Sequence, residues 1–371
     1  MRICSTQNDE IWVQMELKNR INILKSLGIR LEEVCRQIDP ANDNISSDWS
    51  SWLGAVQTRN PWFTRASVHL ALTAWTEALR PEKVEQWAGA YELPHLPSRL
   101  KLVGVINAGN IPFVGMHDLL SVFLSGHRYV GKNASDDPYL LPWVLDLMKS
   151  IDPQVAESVS FTEKLVGTDA VIATGSDNSA RYFEYYFGKN PHIIRKNRNG
   201  IAVLTGEETT GELTSLGADI FSYFGLGCRN ISKLFVPHGY DFSPFFEAIY
   251  PWHVVMGHHK YMNNFDYHHA VFLLKQLPFL QNNFLMIRED ERIASPLAVV
   301  HYEFYDDLKK LTNTLVEKSD LIQCVAVSER TKRKSEPAES DPPFVDFGKT
   351  QFPSLQDYAD GVDTVKFLAG L

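Results

Sequence analysis

One cysteine of this chain stands in a setting that suits nucleophilic chemistry. Cys228 lies in the turn FGLGCRN at 224–230, between a helical pattern and the apolar run at 231–237. A thiol in a turn flanked by glycines can be approached by a substrate, whereas a thiol packed inside a helix cannot. A second turn, GVINAGNIP at 104–112, follows a buried strand pattern and contains Asn110, whose side-chain amide can donate to a developing oxyanion. A nucleophile and an oxyanion donor together indicate acyl chemistry.

Length, composition and charge bound the class of protein. The 371 residues exceed what one hydrophobic core usually organises, which favours two domains. Hydrophobic residues make up 44% and charged residues 22%, a balance that favours a soluble globular protein over a disordered or membrane chain. The net charge of -9 gives no general attraction for nucleic acid or an anionic membrane surface. Without a signal-like start or a long apolar run, the sequence predicts a cytoplasmic enzyme with no membrane span.

Cysteine and histidine spacing gives no sign of a metal site. The four cysteines are scattered without a CxxC pair, which argues against a disulfide framework and a zinc knuckle; they are Cys4, Cys35, Cys228 and Cys324. Paired histidines at 258–259 and 268–269 lack a zinc-binding His-Glu-X-X-His pattern. We therefore interpret them as polar residues near a substrate entrance. Any one of the four is a candidate proton donor or thiol activator, and the sequence does not distinguish among them.

The periodicity predicts a helical start followed by parallel β-structure. Residues 11–27 have apolar positions at helical spacing, and Gly28 predicts the end of that helix. Helical patterns continue to about residue 90. Short apolar runs then alternate with helical stretches at 102–106, 114–124, 128–130, 139–148 and 170–173. This alternation is typical of βαβ units and a mostly parallel sheet.

Two further patterns locate phosphate-binding and catalytic regions. Thr174, Gly175 and Ser176 follow a strand pattern and precede a helical one, and helix N-termini of this kind receive phosphates through their N–H groups. A simple helix cap is the alternative. The second region begins near residue 195 and predicts a strand at 201–204, a helix at 212–224 and a strand at 231–236.

Together these motifs resemble the aldehyde dehydrogenase superfamily and, within it, the LuxC-type acyl-CoA reductases, or fatty-acid reductases. The segment at 104–112 is similar to a strand-turn in which an asparagine before X-Pro helps to form the oxyanion hole, and Asn110 occupies that position. The segment SGHRYVGK resembles the helix end and strand that deliver a cofactor-binding lysine, here Lys132, and ATGS at 173–176 resembles the turn near the cofactor phosphates. The segment FGKTQFPSLQDYADGVDT at 347–364 is similar to the C-terminal signature of the LuxC branch.

The resemblance implies an α/β fold of aldehyde-dehydrogenase type. A helical N-terminal region and a Rossmann-type dinucleotide-binding domain would occupy residues 1–195. An α/β catalytic domain with Cys228 would occupy residues 196–345, and the C-terminal signature segment residues 346–371. The resemblance also implies a homo-oligomer, a dimer or a tetramer.

Two departures from the family pattern bear on the reaction. Counting back from Cys228, the glutamate base of hydrolytic aldehyde dehydrogenases falls near 194–196, where the residues are Ile, Arg and Lys. An enzyme that exchanges acyl groups with a thiol does not require that base, so the departure favours acyl-CoA reduction. In the segment RIASPL, Arg292 stands where many relatives have a glutamate that contacts the nicotinamide ribose. The adjoining Glu291 is one residue out of register with that position, so we do not assign it the ribose contact.

The prediction is therefore NADPH-dependent reduction of a fatty acyl-CoA, or of an acyl-carrier thioester, to the aldehyde through a thioester on Cys228. The amide of Asn110 and the backbone N–H of Cys228 would donate to the oxyanion. Ser135 stands where NAD-preferring relatives often have an acid. Without that acid, nothing at this position repels a 2′-phosphate near Lys132, which favours NADPH over NADH. The alternatives are an aldehyde dehydrogenase that releases free acid and a non-catalytic scaffold for an acyl-transfer protein partner.

Overall fold

The chain forms two compact units, and the first is built from both ends of the described chain. A computed structural model describes residues 14–97, 99–175, 177–334 and 342–371. One unit contains the residues up to Lys196 together with Phe352–Leu371, and the other contains Asn197–Gln351. The chain therefore leaves the first unit once and returns to it. Cys4 and Ser176, both named from the sequence, lie outside the described residues.

Four helices open the first unit: α1 (Leu17–Ile38), α2 (Ser47–Arg59), α3 (Arg65–Ala78) and α4 (Pro81–Gly89). The hydroxyls of Ser46 and Thr64 cap α2 and α3 by accepting backbone N–H groups of their first turns. The predicted end of the first helix at Gly28 is wrong, because α1 continues for ten further residues to Ile38. A Cβ atom at Gly28 would lie 2.5 Å from the carbonyl oxygen of Leu79. Gly28 therefore serves close packing inside a helix rather than its termination.

A five-stranded parallel sheet forms the centre of the first unit. Its strands are β1 (Leu102–Ile106), β2 (Arg128–Lys132), β3 (Val159–Phe161), β4 (Ala170–Thr174) and β5 (His192–Arg195). The helices between them are α5 (Met116–Ser125), α6 (Leu140–Ile151) and α7 (Asp177–Phe187). The strand order is β3-β2-β1-β4-β5, with every pairing parallel. The predicted βαβ arrangement is confirmed. The strands β2 and β3 lie on one side of β1 and the strands β4 and β5 on the other, so the strand order reverses between β1 and β4.

The second unit contains a seven-stranded mixed sheet in the order β12-β11-β6-β7-β10-β9-β8. Its strands are β6 (Asn199–Val203), β7 (Ile231–Pro237), β8 (Leu280–Gln281), β9 (Met286–Glu289), β10 (Val299–Tyr305), β11 (Ile322–Val327) and β12 (Phe344–Asp346). Its helices are α8 (Thr210–Phe221), α9 (Ser243–Ala248), α10 (His259–Leu274), α11 (Leu308–Glu317) and α12 (Glu329–Lys334). Only β8 runs antiparallel to its neighbour among the described strands of this sheet.

Buried apolar side chains hold β6, β7 and β11 of the second sheet against α11. Ile201, Phe235 and Val325 come from three adjacent strands of the second sheet and pack, fully buried, with Leu311 and Leu315 of α11. The final helix of the chain, α13 (Thr364–Ala369), instead belongs to the first unit and packs against α5. Among the described helices, none is both long and apolar enough to cross a membrane.

Candidate active site

The turn that presents Cys228 has an unusual backbone conformation. The helix α8 ends at Phe221, three residues earlier than the sequence predicts, because Tyr223 and Phe224 have φ angles of 51° and 59°. Gly225 follows with a φ of 83°. Non-glycine residues in this left-handed region cost on the order of 1 kcal/mol each and persist only where surrounding contacts impose them. Cys228 stands exposed three residues after Gly225, just before β7.

The buried side chain of Asn230 supplies contacts that fix this turn. Its Nδ2 donates to the carbonyl oxygens of Ser222 at 2.8 Å and Asp219 at 2.9 Å. Its Oδ1 accepts from the backbone N–H of Gly227 at 2.8 Å. One amide therefore binds the end of α8 and the residue next to Cys228. Asn230 is not among the predicted site residues, although an asparagine beside a glycine-rich turn is a signal for such backbone bonding.

The first part of the C-terminal signature supports the same turn. The carboxylate of Asp219, on α8, accepts from the backbone N–H of Gly348 at 2.6 Å and of Thr350 at 3.0 Å, and from the Thr350 hydroxyl at 2.8 Å. The Nε of Arg229, next to Cys228, donates to the Thr350 carbonyl at 2.6 Å. Burial raises the pKa of Asp219 to about 6, and these donors oppose that rise. The signature segment is therefore tied to the helix before Cys228 and to the residue after it.

The candidate histidines have different surroundings, and His259 is exposed at the start of α10. The His258 ring packs against Phe224 in the turn before Cys228, with ring centroids 4.3 Å apart. Its Nδ1 accepts from the backbone N–H of Tyr261 at 3.4 Å at the start of α10. His268 and His269 instead pack against phenylalanines on or beyond α10. Within the described ranges, no group of three His, Cys, Asp or Glu side chains is placed to hold a metal ion.

Five of the other predicted site residues lie at or beyond the carboxyl ends of three neighbouring strands of the first sheet. Asn110 is exposed in the loop after β1, and Lys132 is the exposed last residue of β2, followed by Ser135 in an exposed loop. Thr174 ends β4 and Gly175 follows it. All of these positions are at the carboxyl ends of the neighbouring strands β2, β1 and β4. Cys228, by contrast, belongs to the second unit.

The backbone at this edge fits a dinucleotide. In doubly wound sheets of this strand order, ligands bind outside the carboxyl ends of the strands where the order reverses, here β1 and β4. A Cβ atom at Gly175 would lie 2.9 Å from both Ser179 and Phe183 of α7, so the glycine lets this helix start directly against β4. A Cβ atom at Gly109 would lie 2.7 Å from the Cβ of Ala134. Close glycine turns and a helix N-terminus are the elements that bind a pyrophosphate.

The stretch at 194–196, where the family resemblance predicts the glutamate base, contributes to a buried ion pair. Arg195, at the end of β5, binds Asp118 of α5 through both terminal nitrogens, at 2.5 and 2.9 Å. Its Nη2 also donates to the Thr364 hydroxyl at 3.0 Å. The side chains of Arg195 and Asp118 are almost fully buried. Arg195 therefore joins α5, β5 and α13 inside the first unit.

Arg292, in the second departure, is also paired. Its Nε and Nη2 donate to the two carboxylate oxygens of Asp290 at 2.8 and 2.7 Å. Hydrogen bonding from this guanidinium holds the pKa of Asp290 well below its usual range. The Asp290 carboxylate, two residues before Arg292, is therefore held by the Arg292 guanidinium.

Comparison with known proteins identifies the fold. No family model and no curated protein sequence matches the chain. Solved structures that match include an NAD-dependent benzaldehyde dehydrogenase from Corynebacterium glutamicum, at TM-score 0.61 and 15% identity over 91% of this chain and 83% of that one. A betaine aldehyde dehydrogenase from Staphylococcus aureus, solved with NAD+ and a modified cysteine, matches at TM-score 0.62 and 13% identity over 90% and 77%. Aldehyde dehydrogenase 21 from Physcomitrella patens, solved with succinate, matches at 0.58 and 11% over 98% and 94%.

These matches define the class of fold. The chain has the α/β fold of aldehyde dehydrogenases, with a Rossmann-like unit, and the predicted fold class is confirmed. At 11–15% identity the likeness concerns the fold alone. The LuxC-type branch and the roles of the site residues stay predictions.

Proposed function

We propose that the protein is a nicotinamide-dependent oxidoreductase that reduces a fatty acyl thioester to the aldehyde through Cys228. The observation that best supports this proposal is an exposed thiol on a firmly supported turn, in a chain with the aldehyde dehydrogenase fold. The stretch at 194–196, near which the resemblance places the glutamate of hydrolytic relatives, contains no acid, and its Arg195 is held in a buried ion pair. This supports the LuxC-type acyl-CoA reductase branch over an enzyme that releases free acid. The thioester would come from coenzyme A or an acyl-carrier protein.

The covalent step follows from thiolate chemistry. The Cys228 Sγ attacks the thioester carbonyl carbon, a new carbon–sulfur bond forms, and the coenzyme A thiolate leaves and takes up a proton. The acyl group is then a thioester on Cys228. The negative charge that develops on the carbonyl oxygen is assigned to the side-chain amide of Asn110 and the backbone N–H of Cys228. One such donor is typically worth about 3 kcal/mol.

The cofactor is assigned to the carboxyl edge of the five-stranded sheet. Thr174, Gly175 and Ser176 would hold its phosphates, and Lys132 and Ser135 the adenosine ribose. When bound, the reduced cofactor would supply the hydride to the acyl carbon. The bond from that carbon to the Cys228 Sγ would then break, which releases the aldehyde and returns the cysteine thiolate. Two of the three structural neighbours described above are named for NAD or were solved with it, which supports a nicotinamide cofactor here. We assign NADPH rather than NADH because Ser135 carries no charge.

The remaining assignments belong to the same proposal. Residues 1–195 would contain the cofactor domain, residues 196–345 the catalytic domain and residues 346–371 the signature segment. A cytoplasmic homo-oligomer with an acyl-transfer protein as a partner is the setting that we propose for the enzyme.

The acyl-enzyme can be tested directly. Incubation with acyl-CoAs of increasing chain length should add the acyl mass to the intact protein, and NADPH absorbance should fall only with accepted chains. Cys228→Ala should lose both signals, whereas Cys324→Ala, at a buried thiol, should keep the acyl label. Acylation of Cys228→Ala would contradict the proposal. Aldehyde-dependent reduction of NADP+ without coenzyme A would establish the acid-releasing alternative, and wild-type protein with no turnover would support the scaffold.

A further inference from the structure

We propose that Arg59, at the end of α2 in the helical N-terminal region, binds the 2′-phosphate of NADPH together with Lys132. The inference rests on the proposed function, since it requires a dinucleotide at the carboxyl edge of the first sheet. It adds a residue that determines cofactor specificity and that comes from outside the βαβ part of the unit.

The position of Arg59 follows from its hydrogen bonds. Its Nε donates to the backbone carbonyl oxygen of Ser135 at 2.7 Å, and its Nη2 donates to the same oxygen. Ser135 lies three residues beyond the end of β2. The chain just beyond β2 is where folds of this strand order recognise the adenosine ribose. The exposed guanidinium of Arg59 therefore lies directly against the loop that would face a 2′-phosphate.

The neighbouring residue fixes Arg59 in this place. Asn60 is buried, and its Nδ2 donates to the carbonyl oxygen of Gly109 in the β1 loop at 3.0 Å. Its Oδ1 accepts from the backbone N–H of Trp62 at 3.1 Å. The end of α2 is thus bonded to the β1 loop through Asn60 and to the β2 loop through Arg59. The cation is part of a built framework at the cofactor edge rather than a side chain directed freely into solvent.

The charges at this edge suit a dianionic group. In the part of the chain that the structure describes, no carboxylate forms an ion pair with Arg59 or Lys132, and the Nη1 of Arg59 makes no hydrogen bond. Two acids follow Ser135 in sequence. Asp137 is buried and caps α6 through Leu140. Asp136 has its Oδ1 only 2.8 Å from the position of a Cβ at Gly109, so it is directed at the β1 loop.

Guanidinium chemistry accounts for the expected selectivity. Arginine offers several N–H donors in a planar fork that matches phosphate oxygens, and it remains charged at all physiological pH values. The Nη1 group of Arg59 is available while Nε and Nη2 keep their bonds to Ser135. NADH has a ribose hydroxyl where NADPH has the phosphate, so removal of Arg59 should affect NADPH alone.

The test compares the affinities of Arg59→Gln and the wild-type protein by titration calorimetry. The probes are NADPH, NADH, and the fragments 2′,5′-ADP and 5′-AMP. We expect the dissociation constants of NADPH and 2′,5′-ADP to rise about 10- to 100-fold, the range for one charge-assisted contact. Those of NADH and 5′-AMP should change by less than about twofold. Arg59→Lys, which keeps the charge without the fork, should lie between the two proteins.

Arg36→Gln is the matched control, since Arg36 is also an exposed arginine in the last turn of a helix of the same unit. It should leave all four affinities unchanged, and melting temperatures would report any loss of folding. An equal loss of NADPH and NADH in Arg59→Gln, or no loss of either, would overturn the inference while the proposed function stands. Wild-type protein that binds neither dinucleotide would overturn both.

Discussion

A single buried amide shows how the candidate nucleophile is positioned. Asn230 bonds the carbonyl groups at the end of α8 and the N–H of Gly227, and the chain between these points includes the left-handed residues Tyr223 and Phe224. The carbonyl groups of Asp219 and Ser222 and the N–H of Gly227 lie where α8 ends and before β7 begins, and the Asn230 amide supplies a partner to each of them. The side chain of Asn230 therefore replaces the backbone partners that regular structure would supply.

Asn230→Ala should both destabilise the second unit and impair Cys228. Removal of the amide leaves several buried backbone groups without partners, at about 1–3 kcal/mol for each group. We expect a loss of at least about 2 kcal/mol in urea unfolding and slower acylation of Cys228 than in the wild type. Asn263→Ala, at an exposed position of α10, should change stability by less than about 0.5 kcal/mol. Unchanged unfolding and acylation in Asn230→Ala would refute this role.

At the residue scale, local motifs are predictable and distant partners are not. Cys228 and Asn230 stand in one glycine-rich run, and the run itself identifies the cysteine. The role of Asn230 depends on where α8 ends, which the helical pattern at 212–224 does not specify. Arg59 is separated from Ser135 by 76 residues, so no spacing rule connects them. Only the folded chain brings the end of α2 to the β2 loop.

At the element scale, apolar runs predict where the strands lie, but they do not predict which elements pack against each other. The runs at 102–106 and 170–173 match β1 and β4 because buried parallel strands are continuously apolar. These runs do not predict the strand order, because that order depends on which helices pack on each face of the sheet. The helix end predicted at Gly28 is wrong for a related reason: the glycine is required by the close approach of Leu79, which is distant in sequence.

Gly109→Ala should weaken binding of the whole dinucleotide. The new methyl group would lie 2.7 Å from Ala134 and 2.8 Å from Asp136, which forces the β1 and β2 loops apart. Overpacking of this kind costs about 1–3 kcal/mol, so we expect the dissociation constants of NADPH and NADH to rise together by about tenfold or more. Gly54→Ala, in α2 with no atom within 4 Å of the new methyl group, is the control and should bind both cofactors normally. A loss limited to NADPH would contradict this explanation.

At the scale of the whole molecule, the return of the chain to the first unit is the main organising feature. The ring Nε2 of His117 bonds the carbonyl of Leu355, and that of His127 bonds the carbonyl of Leu368, each at 3.0 Å. Tyr91 donates to Asp363 at 2.9 Å, which links the helical N-terminal region to the same segment. Residues 352–371 are therefore an internal component of the first unit.

Acid should loosen this C-terminal segment. Burial lowers the pKa of both His117 and His127, so below about pH 6.5 the unfolded chain binds protons that the folded unit does not. The stabilisation is complete above that pH and declines as the pH falls. Hydrogen exchange of α13 should accelerate between pH 7.5 and 5, after correction for intrinsic rates. His127→Gln should reduce this pH dependence, and His192→Gln, at an exposed position, should not. Equal pH dependence in all three proteins would refute the assignment.

The same return also imposes an order on biosynthesis. The ribosome completes the sheet and α5 of the first unit long before it produces Val365 and Leu368, which are fully buried in the finished protein. At about 5–20 residues per second, the wait lasts on the order of ten to thirty seconds. During that interval the part of α5 that packs against α13 would lack this partner, so its apolar side chains would be accessible to other chains. Expression yield should consequently depend on chaperones that shelter unfinished polypeptides.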